Sequence, residues 1–173
     1  MAVNENPMKE LRVEKVTVNM GIGQTGEELD NGVKIIELLT KKKPVRTVCK
    51  VKQPTWGIRE GLEIGAKVTL RKNDAEEFLK RAFAAKQNKI LQRNFDRAGN
   101  FGFGIKEHIE MPGVKYDPKL GIKGFDVLVT MARPGFRVKK RKTKKALVGR
   151  KHRISSEEAI EFIRKKFGVE INE

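Results

Sequence analysis

Strict alternation of apolar and polar positions marks the first element of the chain. In LRVEKVTVNM, Val16, Val18 and Met20 alternate with Thr17 and Asn19, which predicts a strand with one buried face after a loose MAVNENPMKE terminus. Gly21, Gly23 and Gly26 then make a turn, and Thr25 with Glu28 predicts a capped helix start. Leu29, Val33, Ile35, Ile36 and Leu39 form the apolar face of that helix. Lys41, Lys42 and Lys43 suit its negative C-terminal end, and Pro44 stops it.

A second strand is predicted in VRTVCKV, with Val45, Thr47, Cys49 and Val51 on one face. The turn-rich QPTWGIREG separates it from IGAKVTLR, where Ile64, Ala66, Val68 and Leu70 face one way and Lys67, Thr69 and Arg71 the other. This is a hairpin with a basic outer face. Asn73 and Glu76 predict the cap of a helix packing through Phe78, Leu79, Ala82 and Phe83, while Lys86, Lys89 and Arg93 extend the basic surface. NFGFGIKEHIEM reads as a strand with glycines for close approach, and in GFDVLVTMAR Phe125, Val127, Val129 and Met131 alternate with Asp126, Leu128 and Thr130. Ser155 with Glu158 caps a last helix carrying Ala159, Ile160, Ile163 and Phe167, which Gly168 ends.

Hairpins outnumber regular βαβ units, and no solenoid period appears. The predicted fold is a two-layer α+β domain: a mainly antiparallel sheet of about five strands, with helices packed on one face. One domain is expected over residues 1–173, with a basic arm or loop at 133–153 before the last helix.

Charge changes this picture in one place. The chain carries +16 formally, and 11 of the 21 residues from Arg133 to Arg153 are Lys or Arg with no acid among them; subtracting these leaves only +5 elsewhere. The eleven are Arg133, Arg137, Lys139, Lys140, Arg141, Lys142, Lys144, Lys145, Arg150, Lys151 and Arg153. So dense a run repels itself and predicts a mobile segment awaiting a polyanion, with phosphate as the natural partner. The bland alternative is a solvated basic surface, which would ordinarily mix both signs.

Other function classes fit poorly. No apolar run reaches membrane-spanning length, and the N-terminus lacks a signal-peptide core, so a soluble intracellular protein is expected. The single Cys49 reads as a small core residue, and with only His108 and His152 beside it there is no zinc constellation. Glu27-Glu28, Glu76-Glu77 and Glu157-Glu158 fall in first turns of predicted helices, where they are dipole and cap residues.

Gly21, Gly23 and Gly26 form a literal G-x-G-x-x-G between strand and helix, the setting of a dinucleotide-binding enzyme. That reading wants an acidic residue on the next strand; VRTVCKVKQ offers only Arg46, Lys50 and Lys52, although Arg46 suits a 2′-phosphate. A tight turn bringing backbone close to phosphate is favoured. Phe101 and Phe103 partly match an RNA-stacking pair and equally fit a core face. Trp56, in a Pro/Gly loop beside Lys52 and Arg59, stands open between stacking contact and burial.

The stretches VTVNMGIG, KKPVRTVCKVKQPTWGIREGLEIGAKVTLR, GNFGFGIKEHIEMPGVKYDP and GIKGFDVLVTMARPGFRV together resemble the universal large-subunit ribosomal protein five family, over nearly the whole chain. The basic GFRVKKRK…GRKHRIS insertion resembles its archaeal and eukaryotic type. The resemblance implies a non-enzymatic, cofactor-free protein that is cytoplasmic and ribosome-bound. Its implied partners are 5S rRNA, large-subunit rRNA, P-site tRNA and neighbouring proteins of the central protuberance, with no membrane and no small-molecule substrate. By match to the family motifs, Asn19 and Thr69 face 5S rRNA and Trp56 is the aromatic of the inter-strand loop; Lys67 and Arg71, on the basic face of the Thr69 strand, and Lys42 are expected to join that 5S-binding set. The tRNA-facing loop spans Gln53 to Gly61, including Pro54, Thr55, Trp56, Gly57, Ile58 and Arg59. Many members have Gly-Gln where this chain has Lys41-Lys42, which implies a phosphate contact by Lys42 in place of the glutamine's hydrogen bonds.

Overall fold

Strand β1 (Arg12–Gly21) is the middle of a five-stranded sheet, and its alternation decides which way every neighbour faces. The structure is a computed structural model describing residues 6–172. In chain order β1 is followed by α1 (Glu27–Thr40), β2 (Val45–Val48), β3 (Glu63–Leu70), α2 (Lys72–Ala85), β4 (Lys89–Leu91), β5 (Phe101–Ile105), β6 (Phe125–Ala132), α3 (Arg137–Lys140), α4 (Ser156–Phe167) and β7 (Glu170–Asn172). The main sheet runs β2-β3-β1-β6-β5, every pair antiparallel. The α+β class and the five strands agree with the sequence pattern.

One face of this sheet carries the core. Val16, Val18 and Met20 of β1, Ala66, Val68 and Leu70 of β3, and Val127, Val129 and Met131 of β6 are buried against α1 and α2 residues including Ile35, Ile36, Leu39, Phe78, Leu79 and Phe83. Phe101 and Phe103 join them, stacked on Phe83 at centroid distances of 6.3 and 5.6 Å. They are core, and the base-stacking reading of this pair falls. The last helix adds Ala159 and Ile163 to the same core, and Lys166 reaches Glu76 of α2 at 2.5 Å.

Local signals differ in how well they survive packing. The Ser155–Glu158 capping box forms in both directions, and Gly168 ends α4 in the left-handed region at φ 66°. The Thr25–Glu28 box does not form: Gly26 at φ 87°, ψ −144° is the N-cap, a conformation that excludes a side chain. Asn73 likewise lies inside α2, whose N-cap is Arg71 without a side-chain bond. At the N-terminus, where the pattern predicts a loose segment, Asn6 caps a short 3-10 turn, Pro7–Lys9; the first five residues lie outside the described part.

Strand β2 departs most from its pattern. It is an edge strand, so Val45 and Val48 are exposed, and Cys49 is only half-buried beyond its end. A two-stranded parallel sheet, β4 with β7, has no counterpart in the sequence pattern; it pairs Lys89 with Glu170 and Leu91 with Asn172.

Two local costs are readable. Lys41 sits in the left-handed region at φ 54° as the C-cap of α1, donating its N–H to the Glu37 carbonyl at 2.7 Å. His108 is buried, and its Nδ1 lies 3.4 Å from the Lys123 backbone nitrogen. Burial holds this imidazole below its usual range, the Lys123 backbone contact and the Glu107 charge opposing only in part.

Replacing Lys41→Gly is expected to raise unfolding stability by about 0.5–1 kcal/mol, read from the urea midpoint. A depressed imidazole contributes stability that is fully present above its unfolded value, about 6.5, and is lost as the pH falls through the lower folded value. The urea midpoint should therefore drop between pH 7 and 5, and His108→Gln should flatten that dependence.

Candidate nucleic-acid interface

The face of the sheet opposite the core is not covered by any of α1, α2 or α4. Register fixes its composition, since residues directly opposed in a ladder share a face. One row crosses all five strands: Val45, Lys67, Asn19, Asp126 and Gly104. The adjacent row carries Thr69, Thr17, Leu128 and Gly102. Asn19 and Thr69, placed together on the 5S rRNA face by the resemblance, lie on the neighbouring strands β1 and β3. Asn19 stands opposite Lys67, and Thr69 opposite Thr17.

This surface is donor-rich. Exposed Leu128 lies over β5, where a Cβ on Gly102 would come within 2.7 Å of its Cδ2, so the glycine is what lets the leucine lie down. Lys67 has no carboxylate in ion-pair range among the described residues, whereas Arg71 sits 4.0 Å from Glu14 at the edge of the face. Sequence reasoning misses Thr17, Lys15, Val45 and Leu128. Thr17 and Lys15 share the period of Asn19 and could be found from it; Leu128 and Val45 are obscured because they are apolar on a polar face.

Lys42 is elsewhere. It follows α1 and pairs with Asp74 in the first turn of α2 at 3.0 Å, both side chains half exposed. Arg81 closes the same end of α1, donating to the Leu39 carbonyl at 2.9 Å.

The loop between β2 and β3 is a continuation of the hairpin. Gln53 and Ile58 exchange backbone bonds at 2.9 and 3.1 Å, and Cys49 and Leu62 pair below them at 2.8 Å. Pro54–Trp56 form a 3-10 turn that Gly57 ends at φ 65°. Trp56 at the tip is 73% exposed, which resolves its two readings toward an available ring. Pro54, Thr55, Gly57 and Arg59 are exposed beside it. Ile58 corrects its expected role as a contact: its side chain is 7% exposed, because the hairpin turns it inward.

The basic segment is a closed loop rather than an extended arm. Arg133 is 6% exposed, donating to Glu158 at 2.9 Å and to the Arg153 carbonyl at 3.1 Å, with its Nε left without a partner. It is a structural clasp, not an outward cation. For Glu158, burial works to raise the carboxyl, but the Ser155 backbone and the Arg133 guanidinium outweigh it and hold the group below its ordinary value. Near the same neck His152 Nε2 lies 2.8 Å from the Pro134 carbonyl and its ring meets Phe136 edge-on. Farther out, Arg141 donates to the Lys144 carbonyl at 2.6 Å, and Lys140 pairs with Glu14 of β1. Of the eleven cations, only Arg133 and Lys140 have carboxylate partners among the described residues. The other nine are exposed, with Arg141 and Arg153 also donating to backbone carbonyls of the loop.

The dinucleotide reading is overturned by topology. Such a site needs the strand that follows the helix to lie parallel and directly beside β1, and here β2, which follows α1, is separated from β1 by the antiparallel β3. Arg46, the candidate for a 2′-phosphate, is held by Glu63 at 2.9 Å and Asp30 at 2.6 Å, and those two acids keep its guanidinium above its usual range. The glycine turn instead docks on β3, Ile22 and Gly23 both donating to the Ile64 carbonyl.

Comparison with known proteins identifies the family. Residues 6–59 match the family described as Ribosomal protein L5, and residues 63–162 match the C-terminal region of the same ribosomal family. The chain is 52% identical to the large ribosomal subunit protein uL5 of Methanococcus vannielii, over 96% of this chain and 94% of that protein. It is 49% identical to the uL5 of Sulfurisphaera tokodaii, over 97% and 96%. An open, unpartnered sheet face, a closed basic loop and this similarity along nearly the full length lead to one assignment: the chain belongs to the ribosomal protein L5 family, a structural and non-enzymatic family of the large ribosomal subunit.

Proposed function

We propose that this chain grips 5S rRNA on its open sheet face, docks its basic loop on large-subunit rRNA, and extends the loop of residues 53–61 toward P-site tRNA in the central protuberance. Neighbouring ribosomal proteins pack around it, and it works as one domain, in the cytoplasm and on the ribosome, without a cofactor. The observation that carries the reading is the row Lys67, Asn19 and Asp126 beside Thr69, Thr17 and Leu128, left bare by every long helix. A broad, shallow polar surface fits the shallow minor groove of an RNA helix, where 2′-hydroxyls and phosphates are presented. Asn19 and the two threonines supply hydrogen bonds to hydroxyls, and Lys67 and Lys15 supply charge to phosphate.

The nine cations of the basic loop that have no carboxylate partner among the described residues act in a different way. Each phosphate they neutralise releases counterions, so their contribution is large at low salt and independent of sequence. Exposed Trp56 offers a rigid ring at a hairpin tip, suited to stacking on or packing against a folded RNA. The relatives' name, large ribosomal subunit protein, supports the assembly in which these surfaces act.

Titration against 5S rRNA and a scrambled RNA of equal length tests the division of labour. Asn19→Ala with Thr69→Ala is expected to weaken 5S binding about tenfold while leaving the salt slope unchanged. If 5S affinity is untouched in a folded variant, the open face is not the 5S surface. Alanine at Lys139, Lys140, Arg141, Lys142, Lys144 and Lys145 together should weaken binding to large-subunit rRNA and flatten its salt slope by roughly 0.7–0.9 for each phosphate no longer neutralised; an unchanged slope would remove the loop from its anchoring role.

A further inference from the structure

Beneath the basic loop lies a groove whose apolar walls none of these contacts uses. It has a volume of about 370 Å³ and opens between the turn at 97–98, α3 and the return of the loop at 147–154. Its walls are apolar: Ala98, Phe136, Leu147, Val148 and Ile154. Its rim is cationic, made by Arg97, Lys139 and Arg153, and no carboxylate lines it. Leu147 is 86% exposed, the most exposed large apolar side chain among the described residues, and it stands within the most highly charged part of the chain.

The walls are built to hold their places. Asp96 accepts the N–H groups of Ala98 and Asn100, each at 2.8 Å, which rigidifies the turn carrying Arg97. Gly99, at φ 73°, packs so closely on Ile154 that a Cβ there would lie 2.6 Å from it. Arg153 donates its Nε–H to the Val148 carbonyl at 3.2 Å, and its own carbonyl is held by buried Arg133. The groove is therefore a shaped slot and not a gap under a slack loop.

Apolar walls with a rim of cations alone select a ligand that is flat and apolar at one end and anionic at the other. An unstacked nucleotide has both properties: a base with two π faces, and a phosphate. The volume matches the lower range of small-molecule sites, about 300 Å³ upward, and so admits one nucleotide and not a duplex. Base stacking on aromatic or aliphatic walls tolerates any base, as a mainly electrostatic docking loop requires. Resting on the rRNA-binding reading above, we propose that this groove receives a single unpaired nucleotide of ribosomal RNA. Its base lies against Phe136, Leu147 and Val148, and its phosphate lies between Arg97, Lys139 and Arg153.

The test uses the full chain and a nine-nucleotide single-stranded RNA, with and without its central base. The base-containing strand is expected to bind about tenfold more tightly than its abasic partner, a preference that Leu147→Ser with Val148→Ser should abolish without altering the salt slope. Both positions lie at least partly in solvent, and circular dichroism melting verifies folding. Trp56→Ala should leave the preference intact, separating this groove from the loop tip. No base preference in the wild-type protein, or a preference surviving in the Leu147/Val148 variant, overturns the proposal. Displacement of the strand by an acidic apolar peptide, with no base preference, would assign the groove to a protein segment and also overturn it. Titration with 5S rRNA in the same preparation keeps the two readings apart: intact 5S binding without base preference removes the groove alone, whereas base preference without 5S binding removes the wider reading and leaves the groove.

Discussion

The two-sided pairing of β1 is the constraint on which the rest depends. Its side chains alternate with a period of two, so pairing with β3 on one side and β6 on the other sends Val16, Val18 and Met20 into the core and leaves Thr17 and Asn19 outside. A slip of one residue would invert both sets at once, burying an asparagine and a threonine and exposing three core residues. Core formation and the composition of the open face are thus one choice of register. The same register aligns Lys67 and Asp126 with Asn19 and so determines the chemistry of the open face.

The parts of this architecture legible from sequence are those where local and tertiary demands coincide. The strands around Val18, Val68 and Val127 alternate because each has a dry and a wet face, and α4 announces itself with a capping box that forms. Legibility fails where position in the fold overrides the pattern. Val45 and Val48 lie in a stretch patterned like a core strand, yet an edge position leaves them in water. Thr25 and Asn73 offer cap side chains, but the chain enters α1 through Gly26 and α2 through Arg71, so neither is placed to bond. A three-residue parallel pair such as β4 with β7 is too short to show any period.

The candidate site divides in the same way. Asn19, Lys67 and Thr69 fall on the wet side of strands and are readable from period; their closeness needs the register. The basic segment is legible as charge but not as conformation. Self-repulsion would keep such a run extended if nothing held its ends, but buried Arg133, paired with the carboxylate that also caps α4, clasps the neck. Removing the carboxylate would leave the guanidinium buried and unpaired, which is costlier than the pair is favourable. One glutamate therefore serves a helix terminus and a loop closure together.

The separation of β1 from β6 along the chain has a consequence for how the protein is made. During synthesis β1 emerges early, and β3 can pair with it after one helix and one hairpin, but Arg12 must wait for Ala132 before its other edge is satisfied. Long-range pairing of this kind is slow and leaves the middle strand open as a template for foreign strands until late in translation. The basic loop follows β6 immediately, so its charge leaves the exit tunnel only after the strand that completes the sheet. Order of emergence thus puts the strand that closes the sheet ahead of the most charged part of the chain.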